Sequence, residues 1–520
     1  MTTAKRAAER ANAAAGAREC WALTGEVDAA AGQRAELAAL LAEMRAVAAR
    51  IEARAARRMA RWAGFVQRAE FAGSAANLAD WLAFRAEDLA ALQPRLAALG
   101  LSSLGRLDGH VRPSIQAVIA ALVALSGEGR AEFPAAGAIA GDAAVLAARR
   151  DALFGPREGG PETRIMVTLP GIAATEPALV RDMVKAGADC FRINCAHDDA
   201  AAWAAMIGHV RAAGAAAGRY LPVSMDLGGP KFRIARLHGN EKHRLVTGDG
   251  FYILAEGARA PHGALAVRLS HPELAAALAE GREVVIDDGK ITARVQKIEA
   301  GCAEMRVLQA PLKGARLKLE KGVNLPGARL EVPALTQEDL EALDFVMREA
   351  DVVSYSFVQS VADIEALLAA MATRVGPRGM PALILKIETP RALEALPDLV
   401  VAAGGRMPVG VMIARGDLAV EIGFDRLSEI QEEVLWLCAA AQVPVVWATQ
   451  VLETMVKEGQ ATRAEVTDAA MGQRAEAVML NKGPHAARAV AFLRDVLGRM
   501  DRHQAKKSAR LGPLHLWREA

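Results

Sequence analysis

Between Arg164 and Asn481, short runs of aliphatic and β-branched residues alternate with amphipathic stretches long enough to be helices. The runs are RIMVTL from Arg164, CFRIN from Cys190, LPVSMD from Leu221, VVSYSFV from Val352, ALILKIE from Ala382, VGVMIA from Val409, VPVVWAT from Val443 and EAVMLN from Glu476. A strand covered on both faces reads as a continuous apolar run, and strands that alternate with helices pair in parallel. Eight such units predict an α/β fold, a (β/α)8 TIM barrel. Catalytic groups of such a barrel lie at the C-terminal ends of its strands, so chemistry is expected just beyond each run.

Two segments break this rhythm. Residues 234–321 contain alternating runs such as EVVID and ITARVQKIE with Asp-Gly pairs at 249–250 and 288–289. Such a pattern predicts a small all-β module inserted between the third and fourth strands. Residues 1–155 are rich in Ala, Arg, Glu and Leu instead. There Leu37, Leu40, Leu41, Met44 and Val47 fall on one helical face, followed by Ile51. Helices are expected from Glu26 to Gly100 and from Pro113 to Arg149. Arg54, Arg57, Arg58 and Arg61 read either as a basic docking strip or as a solvated helix face, the second being the ordinary outcome. The Gly-Pro-rich segment Gly155 to Glu162 reads as a linker. The expected division is therefore a helical N-terminal extension (1–155), a catalytic barrel (156–233 and 322–505), an inserted β lid domain (234–321) and a C-terminal tail (506–520). The apolar helix faces must be buried against the barrel or another copy, so a homo-oligomer is expected.

Composition narrows the function. Of 520 residues, 52% are hydrophobic and 4% aromatic, so alanine and aliphatic side chains must fill the core. The net charge of +2 is too small to suggest a nucleic-acid surface. The five cysteines (Cys20, Cys190, Cys195, Cys302, Cys438) form no CxxC pair, which points to reduced thiols and a cytoplasmic location. The N-terminus lacks the apolar core of a signal peptide. The longest apolar run, Ile115 to Leu125, is too short to cross a bilayer, so no membrane partner is expected.

Charged and polar residues cluster at the strand ends. Arg192, Asn194 and His197 follow the second strand; Asp226, Lys231 and Arg233 follow the third. The fifth ends in Lys386 and Glu388, two residues apart and hence on one side of an extended chain. The sixth runs into Ala414-Arg415-Gly416-Asp417 and the seventh ends in Thr449-Gln450. Any one of these charges suits an ordinary ion pair; so many at one rim predict an active site.

The motifs resemble the pyruvate kinase family in order and content: TRIMVTLPG, AGADCFRINCAHD, SMDLGGPKFRIA, IDDGKI, KGVNLPG, ILKIE, MIARGDLAVEI, ATQVLETM and TRAEVTDAA, across residues 163–500. The resemblance implies an Mg²⁺-dependent enzyme of glycolysis that moves a phosphoryl group from phosphoenolpyruvate to ADP, giving pyruvate and ATP. It implies that Glu388 and Asp417 hold Mg²⁺ (or Mn²⁺), a hard ion suited to carboxylates. It makes Lys386 the group that neutralises the phosphoryl in flight, and Arg192 and Arg233 phosphate clamps. The backbone of Ala414, Arg415, Gly416 and Asp417 would bind the substrate carboxylate. Thr449 would help deliver the proton that completes pyruvate. Asn194, His197, Asp288 of the Asp287-Asp288 pair, and Lys321 would face the nucleotide. Competing readings are a related phosphotransferase acting on another enol or carboxylic acid, and an inactive barrel scaffold.

Departures from the family pattern carry their own expectations. Ala196 and Leu227 stand where a serine and a threonine help hold K⁺, while Asn194 and Asp226 remain. Lys231 replaces the usual glutamate, a change associated with K⁺-independent members, and its ammonium would substitute for the cation. Gly228 replaces a lysine, and MLNKGPH follows the eighth strand in place of Met-Leu-Ser-Gly-Glu-Thr, with Asn481 and Lys482 as candidate phosphate contacts. The eighth helix ends near Asp501, so the family's effector-binding C-terminal domain is expected to be absent.

Overall fold

The computed structural model describes residues 27–135, 137–328, 332–506 and 508–509. Cys20, the N-terminal segment read as lacking a signal, and most of the 506–520 tail lie outside the described residues.

The eight runs become eight parallel strands: β1 (Arg164–Thr168), β2 (Cys190–Asn194), β3 (Val223–Asp226) and, beyond the insert, β11 (Val352–Tyr355), β12 (Ala382–Ile387), β13 (Val409–Ala414), β14 (Val445–Ala448) and β15 (Ala477–Leu480). They close in the order β1-β2-β3-β11-β12-β13-β14-β15, with β1 pairing β15 from Arg164–Ala477 to Val167–Leu480. Most residues of these strands are buried, because helices cover the outside while side chains fill the interior.

The insert holds β4 (Ile234–His238), β5 (Gly250–Leu254), β6 (Ala266–Leu269), β7 (Glu283–Ile286), β8 (Ile291–Glu299), β9 (Cys302–Gln309) and, past the expected boundary at 321, β10 (Val323–Asn324), which pairs with β7, in one sheet around its own apolar core. Two details differ from the expectation. A one-turn helix, Pro272–Ala276, interrupts the β pattern. Asp249-Gly250 closes no hairpin, because Gly250 opens β5, which pairs with β9 and β6. The Asp249 carboxylate instead accepts the Val246 N–H at 2.9 Å. At the other Asp-Gly pair, Asp287, Asp288 and Gly289 all take positive φ (56°, 54° and 89°). They turn antiparallel β7 into β8, as the hairpin expectation requires.

The N-terminal region forms α1 (Val27–Trp62), α2 (Ala69–Arg85), α3 (Leu92–Ala98), α4 (Val111–Ser126) and α5 (Gly137–Phe154). Leu37, Leu40, Leu41, Met44, Val47 and Ile51 are all buried. The face is covered within the chain, by the other helices and the barrel. Trp62 is fully buried and donates Nε1–H to Asp398 Oδ1 at 2.7 Å, on the barrel helix Pro390–Gly404. A Cβ at Gly404 would lie 2.5 Å from the Phe71 ring, so this approach needs a bare backbone. The basic stretch is a solvated face tied by ion pairs, Arg54 to Glu87 at 2.7 Å and Arg61 to Asp398 at 2.8 Å. At the end of α5, Leu153 and Phe154 enter the barrel floor and pack with Met166, Ile384, Met412 and Val446. These faces are thus docked within the chain, while Leu125, Phe133, Ile139 and Val145 of the same region stay exposed. No described helix is long and apolar enough to cross a membrane.

Candidate active site

The fifth barrel strand supplies the centre. Alternation along β12 turns Lys386 inward, and Glu388 follows at its C-terminal end. Both are buried. The Lys386 ammonium donates to Ser356 Oγ at 2.7 Å and lies 3.0 Å from Glu388 Oε1 and 3.6 Å from Asp226 Oδ2. Burial works against the charged lysine, but Glu388 and Asp226 more than offset it and hold the ammonium above its ordinary pKa. Burial also pushes the Glu388 carboxyl up; Lys386 opposes that shift, and the neighbouring Asp417 charge adds to it. The Phe357 N–H fixes the other Glu388 oxygen at 2.6 Å, from a residue held at φ 56°.

The second and third strands add the first arginine. Arg192 Nε donates to Asp226 Oδ2 at 2.8 Å and Nη1 to Thr168 Oγ1 at 3.2 Å. Asp226 therefore sits between the two cations, Arg192 and Lys386, while its Oδ1 is buried without a hydrogen-bond partner. Beyond β3 the chain must turn back toward the cavity. Asp339 accepts the N–H groups of Gly228 at 2.7 Å and Gly229 at 3.2 Å. The same carboxylate completes a capping box with Thr336. This buried group anchors the loop that carries Lys231 and Arg233.

The sixth strand runs directly into the helix Arg415–Ile422. Asp417, in its first turn, lies 3.8 Å from Lys231 Nζ. Gly416 N–H donates to Thr449 Oγ1 at 2.7 Å, so that amide is already engaged. The Arg415 side chain turns away, stacks over Trp447 and pairs with Asp468.

These groups surround a cavity of about 460 Å³. Arg192, Asn194, His197, Lys231, Arg233, Lys386, Glu388, Ala414, Asp417 and Thr449 all line it. Arg415 and Gly416 do not, and neither do the lid residues: Asp288 stays at the β7–β8 turn, and Lys321 lies 2.8 Å from Asp287 within the lid. Lysines and arginines on the wall, among them Lys457 and Lys482, outnumber carboxylates, which suits an anionic ligand. Burial, with Lys482 and Arg233 nearby, holds the His197 pKa below its ordinary value.

The donor set fits a hard divalent ion. Glu388 and Asp417 share the cavity closely enough for one charge to perturb the other, and a small dication relieves that repulsion. No group of three or more His, Cys, Asp or Glu suited to a metal occurs among the described residues, so substrate oxygens or water would complete the shell.

Some contributors escaped the sequence reading. Ser356 follows β11 directly, and the strand-end rule could have flagged it. Asp339 lies 111 residues from its partner Gly228. Only its place in Thr336-Gln337-Glu338-Asp339 hinted at a cap. Glu453, which accepts from Asn481 at 2.9 Å and pairs with Lys457 at 2.6 Å, had no sequence signal beyond its motif.

A family model described as "Pyruvate kinase, barrel domain" matches residues 161–488. A pyruvate kinase of Agrobacterium vitis is 34% identical over 350 residues, 66% of this chain and 69% of that protein. One from Mycobacterium intracellulare is 34% identical over 321 residues, 61% of this chain and 65% of the relative. The human protein named pyruvate kinase PKLR is 33% identical over 319 residues, 59% of this chain and 53% of its own length. The chain thus spans close to two thirds of the bacterial relatives and about half of the human one.

Proposed function

The chain belongs to the pyruvate kinase family, and from that premise we propose that it is an Mg²⁺-dependent pyruvate kinase of glycolysis that works without K⁺. The P–O bond to the enol oxygen of phosphoenolpyruvate breaks and a new one forms to a terminal ADP oxygen. The enolate left behind takes a proton at its methylene carbon to become pyruvate. The observation that carries this reading is the buried Lys386 ammonium, 3.0 Å from Glu388 and 3.6 Å from Asp226, at one rim with Asp417 and Arg192.

Glu388 and Asp417 would hold Mg²⁺ (or Mn²⁺), which supplies Lewis-acid polarisation of the phosphoryl oxygens. Lys386 and Arg192 face the charge of the transferring group, and their positions are fixed beforehand by Asp226 and Ser356, so little reorganisation is needed. Arg233 serves as a further phosphate clamp, and Asn194 and His197 serve the nucleotide. Asp288 and Lys321 reach it only if the lid moves toward the barrel. Thr449 directs a proton to the enolate through water. Four described cysteines, all unpaired, fit a cytoplasmic site of action.

K⁺ independence rests on the local chemistry. Neither Leu227 nor Ala196 has a side-chain oxygen to offer a monovalent cation. Lys231 places a fixed positive charge 3.8 Å from Asp417. At an effective dielectric near 20, unit charges about 4 Å apart interact by roughly 4 kcal/mol, and partial exposure reduces the realised share. Pyruvate formation from phosphoenolpyruvate, ADP and Mg²⁺ in tetramethylammonium buffer should be unchanged by added KCl. Lys231→Met should cost at least about tenfold, or about 1.4 kcal/mol. Strong stimulation by KCl refutes the K⁺ reading, and no pyruvate under any condition refutes the activity.

A further inference from the structure

Thr449 is held in an unusual backbone state. Its φ is 64°, and Gln450 and Leu452 follow at 58° and 48°. A left-handed conformation is costly for a β-branched residue and persists only where neighbours enforce it. The neighbour here is Arg415. Its guanidinium donates to Ala448 O at 3.0 Å and to Thr449 O at 2.6 Å. It lies 4.8 Å above the Trp447 ring and is gripped by both oxygens of Asp468, one at 2.8 Å. The Arg415 side chain is buried and points away from the cavity, so it acts through Thr449 and not on substrate.

The consequence falls on the Thr449 hydroxyl. Oγ1 accepts the Gly416 N–H at 2.7 Å. Its own hydrogen is left free to be donated into the cavity that Thr449 lines. We infer that Arg415, braced by Asp468 and Trp447, is a positioning residue that locks the 449–452 turn and thereby aims the Thr449 hydroxyl for the proton-transfer half of the reaction. This rests on the activity proposed above. A lysine could not replace it, because the lock needs several donors in one plane.

The test is a double-mutant cycle on the full chain, comparing Arg415→Met, Thr449→Ala and the pair. Readouts are kcat, KM for phosphoenolpyruvate, and exchange of pyruvate methyl protons with D₂O. Arg415→Met should lower kcat and exchange together by about a hundredfold, with KM changed by less than about twofold. In the Thr449→Ala background the same change should cost almost nothing. Arg415→Lys should fail to rescue, and Asp468→Asn should show a milder form of the loss. Losses that simply multiply, or a rise in KM at constant kcat, overturn the inference. If Arg415→Met does not fold, Asp468→Asn in the same cycle decides. If the wild type transfers no phosphoryl group, the activity reading fails instead. A crystal structure of Asp468→Asn then judges the lock: Thr449 leaving positive φ supports it, and an unchanged turn contradicts it.

Discussion

Charges around the cavity depend on one another. Asp226 is shared by Arg192 and Lys386, Lys386 by Glu388 and Ser356, and Asp417 faces Lys231. Sequence spacing revealed the Lys386–Glu388 pair because strand alternation fixes which side two such residues share. It did not reveal Ser356 or Asp339 as supports, since their partners arrive from strands and loops remote in sequence. Lys482, a candidate from its place after the eighth strand, lines the same cavity as His197, and its positive charge lowers the His197 pKa. Both burial and this positive neighbour favour the neutral imidazole. Lys482→Ser should therefore raise the His197 pKa toward the ordinary value of about 6.5. NMR titration of the ring proton reads the shift; an unchanged or lower value would mean that Lys482 does not face it.

At the scale of elements, the barrel strands were legible to within three residues at either end. Burial on both faces leaves a continuous apolar run that little else produces. The Asp249-Gly250 turn misled because the same dipeptide that closes hairpins also ends loops. The seating of α1–α5 was not legible, since it depends on shape: a glycine opposite Phe71, and Leu153 fitting where a Cβ on Gly410 would stand 2.7 Å from it. Phe154 is fully buried under the barrel and shares a cluster with Met412 and Met479, which also line the active cavity. Phe154→Ala should therefore destabilise the chain by about 3–5 kcal/mol. Chemical denaturation measures this; a loss below about 1 kcal/mol would mean that α5 is not part of the barrel core.

For the molecule as a whole, a catalytic barrel sits between a helical layer on its floor and side and a lid at its mouth. The lid touches the site's own helix and the loop just past it: Asn324 donates to Glu421 at 2.9 Å, and the Gly289 turn approaches the exposed Phe424 ring. Sequence motifs placed Asp288 and Lys321 in the site by resemblance, but their approach depends on where the lid stands, which no local pattern records. The proposed activity needs two acidic side chains from successive βα units to grip one divalent ion beside a buried lysine. Calorimetric titration of Mg²⁺ into the wild type, Glu388→Gln and Asp417→Asn tests this directly. We predict one Mg²⁺ per wild-type chain and at least about tenfold weaker binding in each variant. Equal affinity in all three would contradict the proposed grip.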